Sequence, residues 1–417
     1  MKRLSVLVIG LGVMFIILAL ILGFLGSNSS TGFAKETAWW EIQSIDTVKY
    51  SRDLAREKAK NSAFDQEIDK QISLIAETGA THVAIGTPYD KEFIPFLTRW
   101  VSAARRYGLN VWFRGNFAGW ERWFGYQRIT REEHLDKTRE FILANGELFE
   151  NGDVFSPCTE CENGGPGDPR ATRDFEGHKK FLIDEYKVSN VAFRRVGKNI
   201  KTNFPMNGDV ARAIMDRETT KALGGVVVID HYVSTPEKLA NDIREISSRS
   251  GGRVILGEFG APIPDLHGNL TSGQQAAWIE DSLLNLSEIP GFIGINYWVS
   301  FGGGTRLWEN NFSQRPAADV IEKYFKPKVL SGRVIDEIGK PVGLAKIILG
   351  VKYVNADKKG FFNIPYISEG QALKIEASGY KKESVSLDDN QDKVIVLRKE
   401  SPSIFYRIQR FIYAIFG

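Results

Sequence analysis

Hydrophobic positions along the chain fall into three textures. An uncharged run from Leu4 to Gly26 follows Lys2 and Arg3. From about residue 46 to 326, short apolar β-rich runs alternate with amphipathic stretches. From 329 to 397 the runs are short, alternating and separated by turn residues.

The middle texture carries most of the chain. Its β-like runs are "DTVKYSR", "THVAIGT", "NVWFRGN", "DVFSPC", "NIKTNFP", "GVVVIDHYV", "RVILGEF" and "GFIGINYWV". Between them lie helix-like stretches such as "FDQEIDKQISLIAETG", "FIPFLTRWVSAARRYG", "REEHLDKTREFILANG" and "PEKLANDIREISSRSGG". Eight strand–helix units over about 280 residues predict an α/β fold of the (β/α)8 TIM-barrel type. A doubly wound open sheet is the alternative, but no glycine-rich phosphate loop follows the first strand.

The flanking textures set the domain plan. A bilayer-spanning helix needs about 20 apolar residues, whereas the apolar part of a cleaved signal is about 7 to 15. The N-terminal run therefore predicts a transmembrane signal anchor at 1–26, positive end inside, followed by a juxtamembrane linker at 27–45. The barrel is expected at 46–326 on the extracytoplasmic side of the cell membrane, as part of a single-pass protein. A small all-β sandwich is expected at 328–398. The last segment, 401–417, reads "SPSIFYRIQRFIYAIFG" with Arg407 and Arg410 three apart. Two readings stand for it: an amphipathic helix in a membrane surface, or an element packed on the barrel.

Composition removes one class of partner. The 54 basic and 51 acidic residues leave a net charge of +3, which gives no footprint for nucleic acid. Aromatic content is 12%, with 9 Trp, which suits a large core or a sugar-binding cleft.

In a (β/α)8 barrel the chemistry sits at the C-terminal ends of the strands. The fourth strand ends in "PCTECEN", the sixth in "IDHY", the seventh in "LGEFGAP" and the eighth in "NYWVSFGGG". Glu258 follows the apolar run "RVIL", a costly place for a carboxylate unless it is used. Strands four and seven face each other across the barrel mouth, so Glu160 and Glu258 can flank one cleft. Two carboxylates so placed are what glycoside hydrolysis requires. A salt-bridged structural role is the alternative for Glu258.

These strand ends resemble the clan of retaining (β/α)8-barrel glycoside hydrolases that contains the cellulases, β-mannanases and β-galactanases. The resemblance covers about residues 46–326 and is most specific in strands seven and eight. It implies Glu160 as acid/base and Glu258 as nucleophile, with Tyr232 bonding the nucleophile and Trp298 flooring the sugar subsite. The substrate implied is a β-linked polysaccharide or oligosaccharide, and no metal or organic cofactor is implied. The usual Asn before the acid is Thr159 here; Asn163 can take over its sugar contact, or Glu162 can be the acid in a shifted register. Arg114 and Asn203 end strands three and five and are further candidates for sugar hydroxyls. Asp230 and His231 flank the tyrosine as candidate hydrogen-bonding partners. Trp120, Trp123 and Tyr126 are candidates for stacking on pyranose faces or for packing beneath their loop, and His82 reads as structural.

The pair Cys158 and Cys161 brackets Glu160. A zinc site needs about four ligands, and no second cysteine pair exists; a thioredoxin-type dithiol belongs at a helix start in another fold. A disulfide that stiffens the loop and two reduced thiols packed in the rim remain. The segment after residue 328, with "SGRVIDEIGKPVG" and "EASGYKK", resembles the carboxypeptidase-regulatory-like (transthyretin-related) sandwich, which implies an accessory module. Together these readings predict a membrane-anchored retaining glycosidase. The rival is a glycan-binding barrel or surface scaffold without turnover.

Overall fold

The computed structural model describes residues 38–367, 371–386 and 392–400. The expected anchor, most of the linker and the segment 401–417 lie outside the described residues. Among the described residues no helix is long and apolar enough to cross a membrane.

Nine parallel strands form one sheet: β1 (Ile42–Asp46), β2 (His82–Ile85), β3 (Asn110–Phe113), β4 (Val154–Phe155), β5 (Lys201–Thr202), β6 (Pro205–Asn207), β7 (Val226–Asp230), β8 (Arg253–Phe259) and β9 (Phe292–Tyr297). The order is β5-β4-β3-β2-β1-β9-β8-β7-β6. Its two ends, β5 and β6, are pieces of a single stave interrupted at Asn203 and Phe204, so the sheet curls round into eight staves. Ile42, Ala84, Trp112, Val154, Val228 and Ile255 form a compact cluster of buried side chains from six of the strands, the packed interior that such a barrel requires. Strands buried on both faces read as continuous apolar runs, which is why "RVILGEF" marks β8 to the residue.

The first strand corrects the sequence reading. "DTVKYSR" was expected to be strand one, but Val48–Ser51 is a helical turn and the strand is Ile42–Asp46, four residues into the expected linker. Its polar letters hide it. Gln43 is fully buried because its amide donates to the Gly79 and Phe325 carbonyls and accepts from the Trp40 amide.

Helices on the outside are α1 (Phe64–Glu77), α2 (Ile94–Arg106), α3 (Arg131–Ala144), α4 (Phe175–Arg195), α5 (Gly208–Ile214), α6 (Arg217–Ala222), α7 (Pro236–Ser250), α8 (Ser272–Ser287) and α9 (Pro316–Phe325). Local chemistry fixes their ends. Thr130 with Glu133, and Thr271 with Gln274, close capping boxes on α3 and α8, which satisfy amides that the first turn leaves unpaired. Gly251 ends α7 in the left-handed conformation at φ 64°, where glycine carries no side-chain penalty.

Residues from 328 onward form two small sheets. One is β13-β10-β16, from β10 (Lys328–Asp336), β13 (Phe361–Tyr366) and β16 (Asp392–Leu397). The other is β12-β11-β14-β15, from β11 (Lys346–Leu349), β12 (Lys352–Asn355), β14 (Ala372–Glu376) and β15 (Glu383–Ser386). They share a core of Leu330, Val334, Ile347, Leu349, Ile364 and Ile375 among others. The chain enters this unit directly from α9, whose Phe325 carbonyl meets Gln43 near the start of β1. Lys352 donates to the Trp39 carbonyl and lies over its ring at 4.8 Å. The β unit is therefore docked at the N-terminal ends of the barrel strands.

Candidate active site

At the other end of the barrel, four strands deliver charge to one point. Arg114 follows β3, and its side chain is 2% exposed. Its Nη2 donates to Glu258 Oε1 at 2.8 Å and to Asp230 Oδ2 at 3.1 Å. Its Nε lies 3.3 Å from Asp46 Oδ2. Asp46 ends β1, Asp230 ends β7 and Glu258 sits in β8, with Asp230 opposite Glu258 in the strand register.

Three carboxyls on one guanidinium cannot all stay ionised in a buried place without cost. Burial first, then the Asp230 charge, pushes the Glu258 carboxyl up, against the pull of Arg114. Asp230 is pushed up likewise, by burial first and against Arg114. Hydrogen bonds decide where a retained proton rests. Asp46 accepts from Val48 N and from Asn296 Nδ2 as well as facing Arg114. Glu258 accepts from Arg114 and, at 3.0 Å, from the Tyr232 hydroxyl. Asp230 has only Arg114, and its Oδ1 accepts no hydrogen bond from the described residues. Donors favour the charged form, so within this pair the charge is better supported on Glu258 and a shared proton on Asp230. Gly257 makes room for this cluster: a Cβ there would lie 2.3 Å from Asp230 Oδ1 and 2.9 Å from Arg114 Nη1.

Glu160 comes from the loop after β4. It adopts left-handed backbone at φ 47°, ψ 52°, an uncommon state for a residue with a side chain and one that needs outside support. Support comes from its amide, which donates to the Pro205 carbonyl at 2.9 Å, and from its carbonyl, which accepts from Asn163 N. A disulfide joins Cys158 to Cys161, so the two cysteines are not free thiols. Trp120 is buried under this loop, its Nε1 donating to the Cys161 carbonyl at 3.1 Å. Gly164 and Gly165 lie so close that a Cβ on either would enter the indole. Trp120 thus packs under the loop and does not stack on sugar. Burial, then the charges of Glu258 and Glu162, raise the Glu160 carboxyl to about 7. Behind the loop, a buried chain runs from Glu185 through His134 to Asn116 and on to Glu121. Burial raises the Glu121 carboxyl to about 7.

The remaining expected residues divide. Tyr232 and Trp298 are neighbours, edge to face at 6.1 Å, beside Glu258. Asn163 Nδ2 donates to Glu160 Oε2 at 3.0 Å. Thr159 turns its hydroxyl to the Arg114 carbonyl, away from the position the resemblance assigns to it. Asn203 is buried, with its Oδ1 taken by Ser156. Glu162 is fully buried and holds Asn207 through the backbone amide at 2.6 Å and the side-chain amide at 2.9 Å; it fastens β6. His231 pairs with Asp242 instead of joining the cluster, and His82 is buried against the Gly152 carbonyl. Asp46 and Asn296 were not anticipated. Had β1 been placed at 42–46, Asp46 would have stood at a strand's C-terminal end. Among the described residues no three or more His, Cys, Asp and Glu side chains are grouped to hold a metal ion.

Comparison with known proteins bears on the fold. A GH5_18 point variant from Bifidobacterium longum subsp. longum, in complex with Manb1-4GlcNAc, superposes with a TM-score of 0.52 at 13% identity, covering 72% of this chain and 84% of that one. A GH5_18 from Bifidobacterium longum subsp. infantis gives 0.51 at 15% identity, again covering 72% and 84%. The likeness is one of fold. It shows a barrel built like those of glycoside hydrolases. No protein-family profile matches the chain, and no curated protein matches it in sequence.

Proposed function

We propose that the chain is a glycoside hydrolase that cleaves a β-linked polysaccharide or oligosaccharide by double displacement with retention. One observation carries this reading: Arg114 and Tyr232 both donate to Glu258 in the mouth that also holds Glu160, whose carboxyl is pushed up to about 7 by burial and then by the Glu258 charge. Glu258 attacks the anomeric carbon while the Glu160 proton passes to the leaving oxygen. Formation of the glycosyl ester removes the Glu258 charge, and with it the second largest influence that raises Glu160. Glu160 then accepts a proton from the incoming water, and the ester carbon–oxygen bond breaks to release sugar and free carboxylate. Glu162 is committed to Asn207, which favours Glu160 as the acid.

The test is turnover of aryl β-glycosides by the full chain beside its Glu258→Ala variant. Activity that collapses in the variant and returns in part with azide supports the nucleophile; inverted product, or turnover unaffected by the substitution, refutes it. A glycan-binding barrel without turnover is the second reading, favoured by the Thr159 hydroxyl being committed to backbone. Unchanged glycan binding with no hydrolysis by either form would establish it. For the flanks the sequence supports a membrane anchor at 1–26, an extracytoplasmic barrel and a carboxypeptidase-regulatory-like accessory module at 328–398.

A further inference from the structure

The packed interior does not fill the barrel to its N-terminal end. A recess of about 300 Å³ enters there, within the range of about 300–1,000 Å³ common for small-molecule sites. Ile42, Val154, Lys201, Val226 and Arg253 all line it, and each is the first residue of its strand: β1, β4, β5, β7 and β8. It therefore lies at the end of the barrel opposite Glu258. The gap has a local cause. Strand β5 is only the two residues Lys201–Thr202, and Gly224, at φ 87°, brings no side chain to plug the space beside it. A Cβ on Gly224 would lie 2.5 Å from the Tyr186 hydroxyl, which reaches over it.

Three features distinguish this recess from a packing void. Its apolar wall is left open: Val226 and Ile293 pack against the interior cluster yet are only partly buried. One polar group in the lining is unanswered: Thr202 is 8% exposed, and its hydroxyl has no hydrogen-bond partner among the described residues. Buried hydroxyls are seldom left so. The rim, finally, is cationic. Lys201 and Arg253 share the one acid of the lining, Glu41, at 3.3 Å and 2.6 Å. Lys352, which donates to the Trp39 carbonyl, adds a third positive charge near Glu41. One carboxylate against three cations leaves the entrance positive. An aliphatic wall beneath a positive entrance fits a molecule with an apolar body and one anionic group. The rim disfavours a cation, and the wall disfavours a free sugar.

We infer that the N-terminal end of the barrel is a binding site for a small amphipathic carboxylate, its head held by Arg253 and Lys201 and its apolar body laid against Val226, Ile255 and Ile293. The test is titration of the full chain with benzoate and with hexanoate, followed by ligand-observed NMR. Benzyl alcohol and benzylamine serve as the neutral and cationic counterparts of benzoate. At least one of the two carboxylates is expected to bind at least about tenfold more tightly than either counterpart. A cation near an anionic group is worth roughly fivefold in affinity, so Arg253→Ala should weaken that binding about fivefold. Val226→Phe fills the recess and should abolish it. If Val226→Phe melts far below the wild-type protein, Arg253→Ala decides alone, because its side chain is exposed at the rim. No binding of either carboxylate, equal binding of benzyl alcohol, or an affinity untouched by Arg253→Ala would overturn the site.

Discussion

Replacing Arg114 with Met removes a cation that pairs with three carboxyls, at 2.8 Å from Glu258, 3.1 Å from Asp230 and 3.3 Å from Asp46. Two unit charges about 4 Å apart attract by about 4 kcal/mol at an effective dielectric constant of about 20. Divided by about 1.4 kcal/mol per pH unit, that is roughly 3 units on the ionisation of Glu258. The carboxyls titrate together, so an extra proton taken up by a neighbour returns part of this; a net rise of about 1 to 2 units remains. The sign is fixed: losing a cation disfavours the carboxylate, so the acid limb of kcat/KM moves to higher pH. Activity near pH 6 is expected to fall about 10- to 100-fold, and less near pH 8. Arg114→Lys, which keeps charge but loses the fork, should move the limb less. Melting supplies an independent readout. Carboxyls whose folded pKa lies above the unfolded value stabilise below the unfolded pKa, near 4, and that stability is lost as pH rises through the folded value. The substitution raises those folded values further, so the melting deficit of Arg114→Met should grow above about pH 8, where the wild-type carboxyls ionise and those of the variant do not. A limb that stays within about 0.3 unit of wild type, together with a pH-independent deficit, would refute the shared-cation account.

Other perturbations have equally definite outcomes. Tyr232→Phe deletes a hydrogen bond to a charged group, worth about 1.5–3 kcal/mol, so kcat/KM should fall about 10- to 100-fold with little change in melting temperature. Glu160→Gln should abolish the alkaline limb expected near pH 7, where wild-type activity is lost as Glu160 gives up its proton, and should spare substrates with activated leaving groups more than alkyl glycosides. Gly257→Ala has no room beside Asp230 and Arg114, and kcat/KM should drop at least about 100-fold in steady-state assays. Cys161→Ser opens a very short loop, for which chain entropy predicts only about 2 kcal/mol. The loop keeps Trp120 and Pro205 as anchors, so melting should shift by a few degrees and activity by less than about tenfold.

The sequence made some of this legible and hid the rest for physical reasons. β8 could be read to the residue because a strand buried on both faces has few spellings, and Glu258 stood out as the charge in that run. Glu160 was proposed through its place in the order of strands, although its backbone geometry leaves no local mark. β1 was missed because Gln43 and Ser44 look like surface, while the carbonyls that satisfy Gln43 come from Gly79 and Phe325, distant in sequence. That error concealed Asp46. Trp120 was ambiguous because indoles serve cores and sugar clefts alike, and only the fold brings Gly164 and Gly165 against it. Asn203 ends its strand as expected, yet Ser156 claims its oxygen, a partner no spacing rule identifies.

The second unit is joined through Lys352 and Trp39 at the end of the barrel remote from Glu258. Among the described residues, a glycan strand lying across the mouth would therefore meet barrel loops, and neither of its directions is blocked by the C-terminal β unit. On the proposed glycosidase reading, the chain length accepted is then a property of those loops. On that reading, exchanging or deleting the C-terminal unit should leave unchanged which bond is cut.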